Sequence, residues 1–275
     1  MIDLTNELGI PISFNPENLE TVCGNEVKLG EPWIKTLSIW RSLKVAYDCT
    51  DGIGNIVKQP NLQKYRNPHA VLYAGRRGVY WDNELGDLIK EKKIRPDITA
   101  LFSGSIGEEL IRTEGHEHLS GFPEIYETVL GKGGYLLFKA EDDEVRDVFF
   151  VFSEKGDHVV FPPGYKHISV NLGETPFVMT DWVSTEANPD FEYIRKHNGG
   201  PYWVVKRDKL WFVRNQRYKR IPRIRVVRPA PEIPELGVRK GEPMFNLVKD
   251  GKIEMLDFLN DAFDRDFYER AFIEN

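Results

Sequence analysis

The sequence predicts an all-β architecture: a small antiparallel barrel or sandwich with N- and C-terminal extensions that include some helix. Three observations predict it. From about residue 98 the chain becomes a succession of short runs rich in β-branched and aromatic residues, punctuated by Gly and Pro. His167, Ser169 and Asn171 alternate with Ile168, Val170 and Leu172, the two-residue period of a strand. The 275 residues, 41% of them hydrophobic, are ample for one large core.

The elements follow in order. Residues 1–75 are mixed, with turn signals at Asp51-Gly52 and Asn67-Pro68 breaking short apolar runs. Over 84–94, Leu85, Leu88 and Ile89 share one face of a short helix, although Gly86 sits inside it. Strands are expected at 98–102, 135–140, 145–152, 158–161, 167–172 and 176–183. Ten Lys and Arg residues crowd 206–228, with Trp211 and Tyr218 available for stacking on a nucleic acid. The run is broken by Pro222 and interleaved with Ile221, Ile224, Val226 and Val227, which favours the solvated outer face of strands. Leu259, Phe263 and Phe267 recur every four residues and predict a terminal amphipathic helix packed on the barrel or on a second subunit. The expected division is an N-terminal extension 1–75, a barrel domain 76–205 and a C-terminal extension 206–275. There is no internal repeat.

Charge and cysteine content narrow the function classes. The 37 Lys and Arg against 43 Asp and Glu leave a net charge of −6, with no general attraction to nucleic acid or acidic membranes. Cys23 and Cys49 form neither a disulfide framework nor a zinc ribbon, so a reducing compartment is the simpler reading. The first twenty residues carry Asp3, Glu7, Glu17 and Glu20 and lack the basic start and apolar run of a secretory signal. No apolar stretch is long enough to span a bilayer. The expected location is the cytoplasm.

The chemistry-bearing residues fall in Gly115-His116-Glu117-His118, Pro123-Glu124-Ile125-Tyr126 and Pro162-Pro163-Gly164-Tyr165-Lys166-His167. Residues two apart on an extended strand point the same way, so His116 and His118 present both imidazoles to one point. Gly121 and Pro123 suit a turn that returns Glu124 on a neighbouring strand, and His167 follows a Pro-Pro-Gly turn. Three imidazoles and one carboxylate suit iron, manganese, nickel or zinc, with positions left for substrate or water. A His-x-His pair alone is often only a polar strand face; Glu124, Tyr126 and the turn before His167, in this order, argue against that.

Gly115-His-x-His118, Glu124-x-Tyr126, Leu130-Gly131-Lys132-Gly133-Gly134, Phe161-Pro-Pro-Gly-Tyr-Lys-His167 and Val170-Asn171 resemble the archaeal cupin-type glucose-6-phosphate isomerases. The likeness covers roughly residues 79 to 204 and includes Thr99-Ala-Leu-Phe-Ser-Gly104 and Thr113-Glu-Gly-His116. It implies a cupin fold, a double-stranded β-helix, and one divalent metal per subunit, iron first, with zinc, manganese or nickel as alternatives. It implies His116, His118, Glu124 and His167 as metal ligands; Glu124 is the available base, and so the catalytic candidate, for a proton shuttled through an enediol, with a metal-supported hydride shift the other route. Tyr80, Thr99, Thr113 and the backbone at Gly115 would hold the sugar phosphate. A homodimer is expected, with no nucleic-acid or membrane partner. Two departures stand out. The interval from His118 to Glu124 is one residue shorter than in single-domain members, which leaves Glu127 as the other candidate carboxylate. Pro189 and Phe191 stand where some members place His and Tyr, with Tyr193 a candidate substitute. His69, His158 and His197 are read as surface or structural residues.

The activity implied is interconversion of glucose 6-phosphate and fructose 6-phosphate, with mannose 6-phosphate a neighbouring substrate. A metal-dependent cupin oxygenase and a non-catalytic sugar-binding cupin are the alternatives. An oxygenase usually has an apolar pocket, whereas Thr99, Thr113 and Gly115 suit a phosphate.

Overall fold

A computed structural model describes residues 1–38 and 69–274. Cys49 and the turn signals Asp51-Gly52 and Asn67-Pro68 lie outside the described residues. Eleven strands build the two principal sheets: β1 (Pro32–Thr36), β2 (Val71–Arg77), β3 (Ile94–Leu101), β4 (Glu124–Leu130), β5 (Lys132–Glu141), β6 (Glu144–Glu154), β7 (His158–Phe161), β8 (Lys166–Asn171), β9 (Phe177–Ser184), β10 (Arg225–Pro229) and β11 (Phe272–Glu274). The first sheet runs β7-β4-β9-β3-β2-β1 and the second β8-β5-β6-β10-β11. All neighbours are antiparallel except β6 and β10. Together they form the cupin barrel.

The core between the sheets joins Tyr73, Leu101, Tyr126, Phe161 and Met179 of the first to Tyr135, Leu137, Phe149 and Val151 of the second. The outer faces are covered as well. Residues from both ends of the chain, among them Phe14, Leu236, Phe245 and Leu256, pack on the outside of the first sheet against Ile98, Ile125, Val178 and Trp182. Ile194, Tyr202, Val204 and Tyr218 cover Leu136, Phe138, Phe150 and Ile168 of the second. Burial on both faces explains why β9 is buried at all eight positions and carries little visible alternation.

Pairing crosses both expected boundaries, at 75/76 and 205/206: β1 and β2 belong to the first sheet, β10 and β11 to the second. The helix expected over 84–94 forms as α1 (Glu84–Glu91), capped by Asn83, whose side chain accepts from the Leu85 amide at 3.0 Å. The terminal helix is not continuous. A 3₁₀ turn covers Ile253–Leu259, and α2 (Arg265–Arg270) begins afresh where Asp264 accepts from the Phe267 amide at 3.0 Å. Phe263 falls in the break and stays 40% exposed. All ten basic residues of 206–228 are exposed, while Tyr218 is buried. No described helix is long and apolar enough to cross a membrane.

Candidate metal centre and substrate cavity

Strand pairing assembles the centre. The His116 amide and carbonyl exchange hydrogen bonds with His167 of β8, and Glu117–His118 pairs with Pro189–Asp190. Glu124 opens β4. Gly115 makes the approach: its φ is +85°, and a Cβ there would fall 2.5 Å from Ile168 Cγ1 and 2.9 Å from the His167 carbonyl oxygen.

Four side chains then converge. His118 Nε2 lies 2.6 Å from Glu124 Oε1, His116 Nε2 3.8 Å from the same oxygen, and His167 Nε2 3.6 Å from Glu124 Oε2. The ligating atoms of His116, His118 and Glu124 lie within 4.8 Å of one another, close enough to hold one metal ion. Glu124 Oε2 and His167 Nε2 are buried with no hydrogen-bond partner, the state of groups that await a ligand between them.

The electrostatics suit a cation. Burial opposes ionisation of Glu124, but the charge of the adjacent His118 outweighs it and holds its pKa well below the usual carboxylate range. Burial pushes the pKa values of His116 and His167 down, favouring the neutral imidazole that ligates metals. For His118 burial also acts downward, but the Glu124 carboxylate outweighs it.

A cavity of about 460 Å³ opens from this cluster. Thr99, Thr113 and Gly115 line it, as do Tyr126 and the flagged Pro189 and Phe191. Thr113 Oγ1 accepts from the Ser169 amide at 3.0 Å, which leaves its own proton to donate. Tyr80 does not join them. Beyond Gly78, with φ +73°, Tyr80 pairs with Lys28, its hydroxyl lies 3.5 Å from the Ile94 carbonyl, and Lys90 sits 5.2 Å over its ring. Tyr73, seven residues earlier, lines the cavity. Tyr193 does not line it either; its hydroxyl donates to the Asp142 carbonyl at 2.7 Å.

Arg77, Arg95, Asp97 and Asp181 also line the cavity. Strand alternation carried a signal for two of them, because Arg95 and Asp97 share a face of β3 with Thr99. Asp97 accepts from Arg95 Nε at 2.9 Å and from the Gly78 amide at 2.8 Å. Asp181 sits between Asp97 and Tyr126 in the ladder. Burial, then the charges of Asp97 and Glu124, push its pKa well above the usual range. Glu127 faces away from the cluster: its Oε2 accepts from the Met244 amide at 3.1 Å, and its Oε1 lies 4.0 Å from His158 Nε2. His158 and His197 are both buried, which leaves the structural reading for each; His197 bonds the Tyr193 carbonyl at 2.8 Å and Asp143 at 3.2 Å. A larger groove of about 830 Å³ lies beside Phe149, Tyr165 and α2, but its Asp147 is already bonded to Tyr165 and Arg225.

Comparison with known proteins adds three findings. Residues 55–223 match the family described as glucose-6-phosphate isomerase. The glucose-6-phosphate isomerase of Pyrococcus furiosus is 30% identical over 132 residues, 48% of this chain and 68% of the relative; that of Thermococcus litoralis is 29% identical over 131 residues, 47% and 67%. Among solved structures, oxalate decarboxylase from Bacillus subtilis aligns over 42% of this chain and 27% of its own, at 19% identity and a TM-score of 0.31.

Proposed function

The chain belongs to the glucose-6-phosphate isomerase family, and on that premise we propose that it interconverts glucose 6-phosphate and fructose 6-phosphate with one divalent metal held by His116, His118, Glu124 and His167. One observation carries the metal-dependent reading: three imidazoles and a carboxylate converge at the end of a cavity, with Glu124 Oε2 and His167 Nε2 both unbonded. The mixed nitrogen and oxygen donor set suits iron first, with zinc, manganese or nickel as alternatives. When bound, the metal polarises the sugar carbonyl and offsets charge on O1 and O2.

The protein's own groups do the rest. Thr99, Thr113 and the Gly115 amide hold the phosphate, which sets the open-chain sugar with C1 and C2 towards the metal centre. Glu124 takes the proton from C2 of the aldose and returns it at C1, while the hydroxyl proton moves from O2 to O1. Tyr126, two residues on along β4, shares the strand face of Glu124 and lines the cavity beside it. Polar residues in the wall, Arg95, Asp97 and Asp181 among them, favour a sugar over the apolar substrate of an oxygenase. A cytoplasmic homodimer, one centre per subunit, completes the proposal.

The test is turnover of fructose 6-phosphate to glucose 6-phosphate, read by a coupled dehydrogenase, after EDTA treatment and after restoring single divalent metals. Activity that vanishes and returns supports the reading. Sugar-phosphate binding without turnover at any metal would replace it with a non-catalytic binding role.

A further inference from the structure

The family match begins at residue 55, yet one wall of the cavity comes from before it. Strand β1 pairs with β2 so that Trp33 stands opposite Gly75 and Lys35 opposite Tyr73. Residues two apart share a face, and both Trp33 and Lys35 line the cavity with Thr99 and Thr113. Gly75 makes room for the indole: a Cβ there would fall 2.4 Å from Trp33 Cζ2.

The groups on this wall are donors with spare capacity. Trp33 Nε1 is buried and has no hydrogen-bond partner. The Tyr73 hydroxyl accepts from the Glu114 amide at 2.8 Å, which leaves its own proton to give. Lys35 Nζ lies 3.5 Å from Glu114 Oε2, a long contact, while Arg195 Nε holds Glu114 Oε1 at 2.5 Å. Glu114 therefore keeps a cation when Lys35 leaves it. The ammonium also sits 5.4 Å over the Phe191 ring, which is 5.4 Å from His116. A loosely tethered cation, a spare indole N–H and a spare phenol beside two threonine hydroxyls match the three acceptor oxygens and double charge of a phosphate monoester.

We propose that β1 completes the substrate site: Lys35 Nζ and Trp33 Nε1 bind the phosphate of the hexose phosphate, and Lys35 selects phosphorylated from free sugars. This rests on the isomerase reading above and adds to it a recognition element outside the segment that matches the family. Phosphate binding draws Lys35 from Glu114, whose charge Arg195 continues to neutralise.

The experiment uses the full metal-restored chain, with Lys35→Ala, Lys35→Arg and Trp33→Phe, and inorganic phosphate as probe. Lys35→Ala is expected to raise both KM for fructose 6-phosphate and the inhibition constant for phosphate about tenfold, the loss of one charge-assisted hydrogen bond. KM should rise by more than kcat falls, with metal content retained. Lys35→Arg should recover most of the effect, and Trp33→Phe should weaken phosphate about threefold. KM and phosphate inhibition both within twofold of wild type in Lys35→Ala would overturn the proposal. So would a KM effect with phosphate inhibition unchanged, which assigns Lys35 to a sugar hydroxyl. Should Lys35→Ala fail to fold, Lys35→Met keeps the stem and asks the same question. If wild type folds but shows no turnover, the isomerase reading fails on its own, and calorimetric titration with phosphate still reads the Lys35 contribution.

Discussion

Glu124 and Glu127 lie three residues apart on β4 and point to opposite sides of it, Glu124 to His118 at 2.6 Å and Glu127 to the Met244 amide at 3.1 Å. The odd separation alone dictates this, because side chains alternate along a strand. Of the two, only Glu124 reaches His116, His118 and His167, and the two carboxylates should respond differently to the same substitution.

Glu124→Gln preserves shape but removes the charge and the ability to accept a proton at neutral pH. It should fold, retain part of its metal and lose turnover by roughly a hundredfold or more, the usual worth of a general base. Steady-state kinetics with metal analysis checks this. Near-normal turnover would remove Glu124 from the chemistry.

Glu127→Gln should leave turnover largely intact and change the pH dependence of stability. Burial pushes the Glu127 pKa up to about 8. The folded state therefore binds a proton more tightly than the unfolded chain, and this residue's contribution to stability declines as pH rises from about 4.5 to about 8. Gln suffers no such loss. The variant should match wild type near pH 4.5 and exceed it near pH 8.5, by a few kcal/mol with about 5 kcal/mol as the ceiling. Thermal melts at both pH values check it; a gap that does not widen with pH contradicts it.

Thr113→Val removes a hydroxyl that accepts from the Ser169 amide at 3.0 Å and faces the cavity. It should cost about 1–3 kcal/mol of stability and weaken sugar-phosphate binding while metal content holds. Thr113→Ser, which keeps the hydroxyl, should restore both. Phosphate found instead among the basic residues of 206–228 in a ligand-bound crystal would move the site.

Gly115→Ala should be among the most damaging small changes. The added methyl meets Ile168 and the His167 carbonyl, and φ +85° is strained for alanine. Metal occupancy and melting temperature should fall together, because the same backbone pairs His116 with His167. Unchanged occupancy would mean that the centre tolerates a shift of this segment.

Much of this was legible in the sequence, and for local reasons. The imidazoles and Glu124 sit at spacings that strand alternation and turns interpret directly. Tyr80 stands away from the cavity because beyond Gly78 the strand stops pairing with β3 and continues only against Val27–Leu29, a change that a single glycine does not announce. Trp33, Lys35 and Tyr73 were missed because pairing of β1 with β2 brings them to the cavity from a segment whose own pattern carries no motif. The terminal helix expected through Leu259, Phe263 and Phe267 breaks at Asp264, whose capping role was present as an Asp three residues before Phe267. The apolar period simply outweighed it. In β9 the alternation was faint because both faces are buried.

The most direct test of the central claim is the metal dependence of isomerisation by the unmodified chain. Fructose 6-phosphate turnover should disappear after EDTA and return with one divalent ion per subunit, and His116→Ala combined with His118→Ala should neither bind that ion nor regain activity. Undiminished turnover in the metal-free chain, or full metal retention in the double variant, would contradict it.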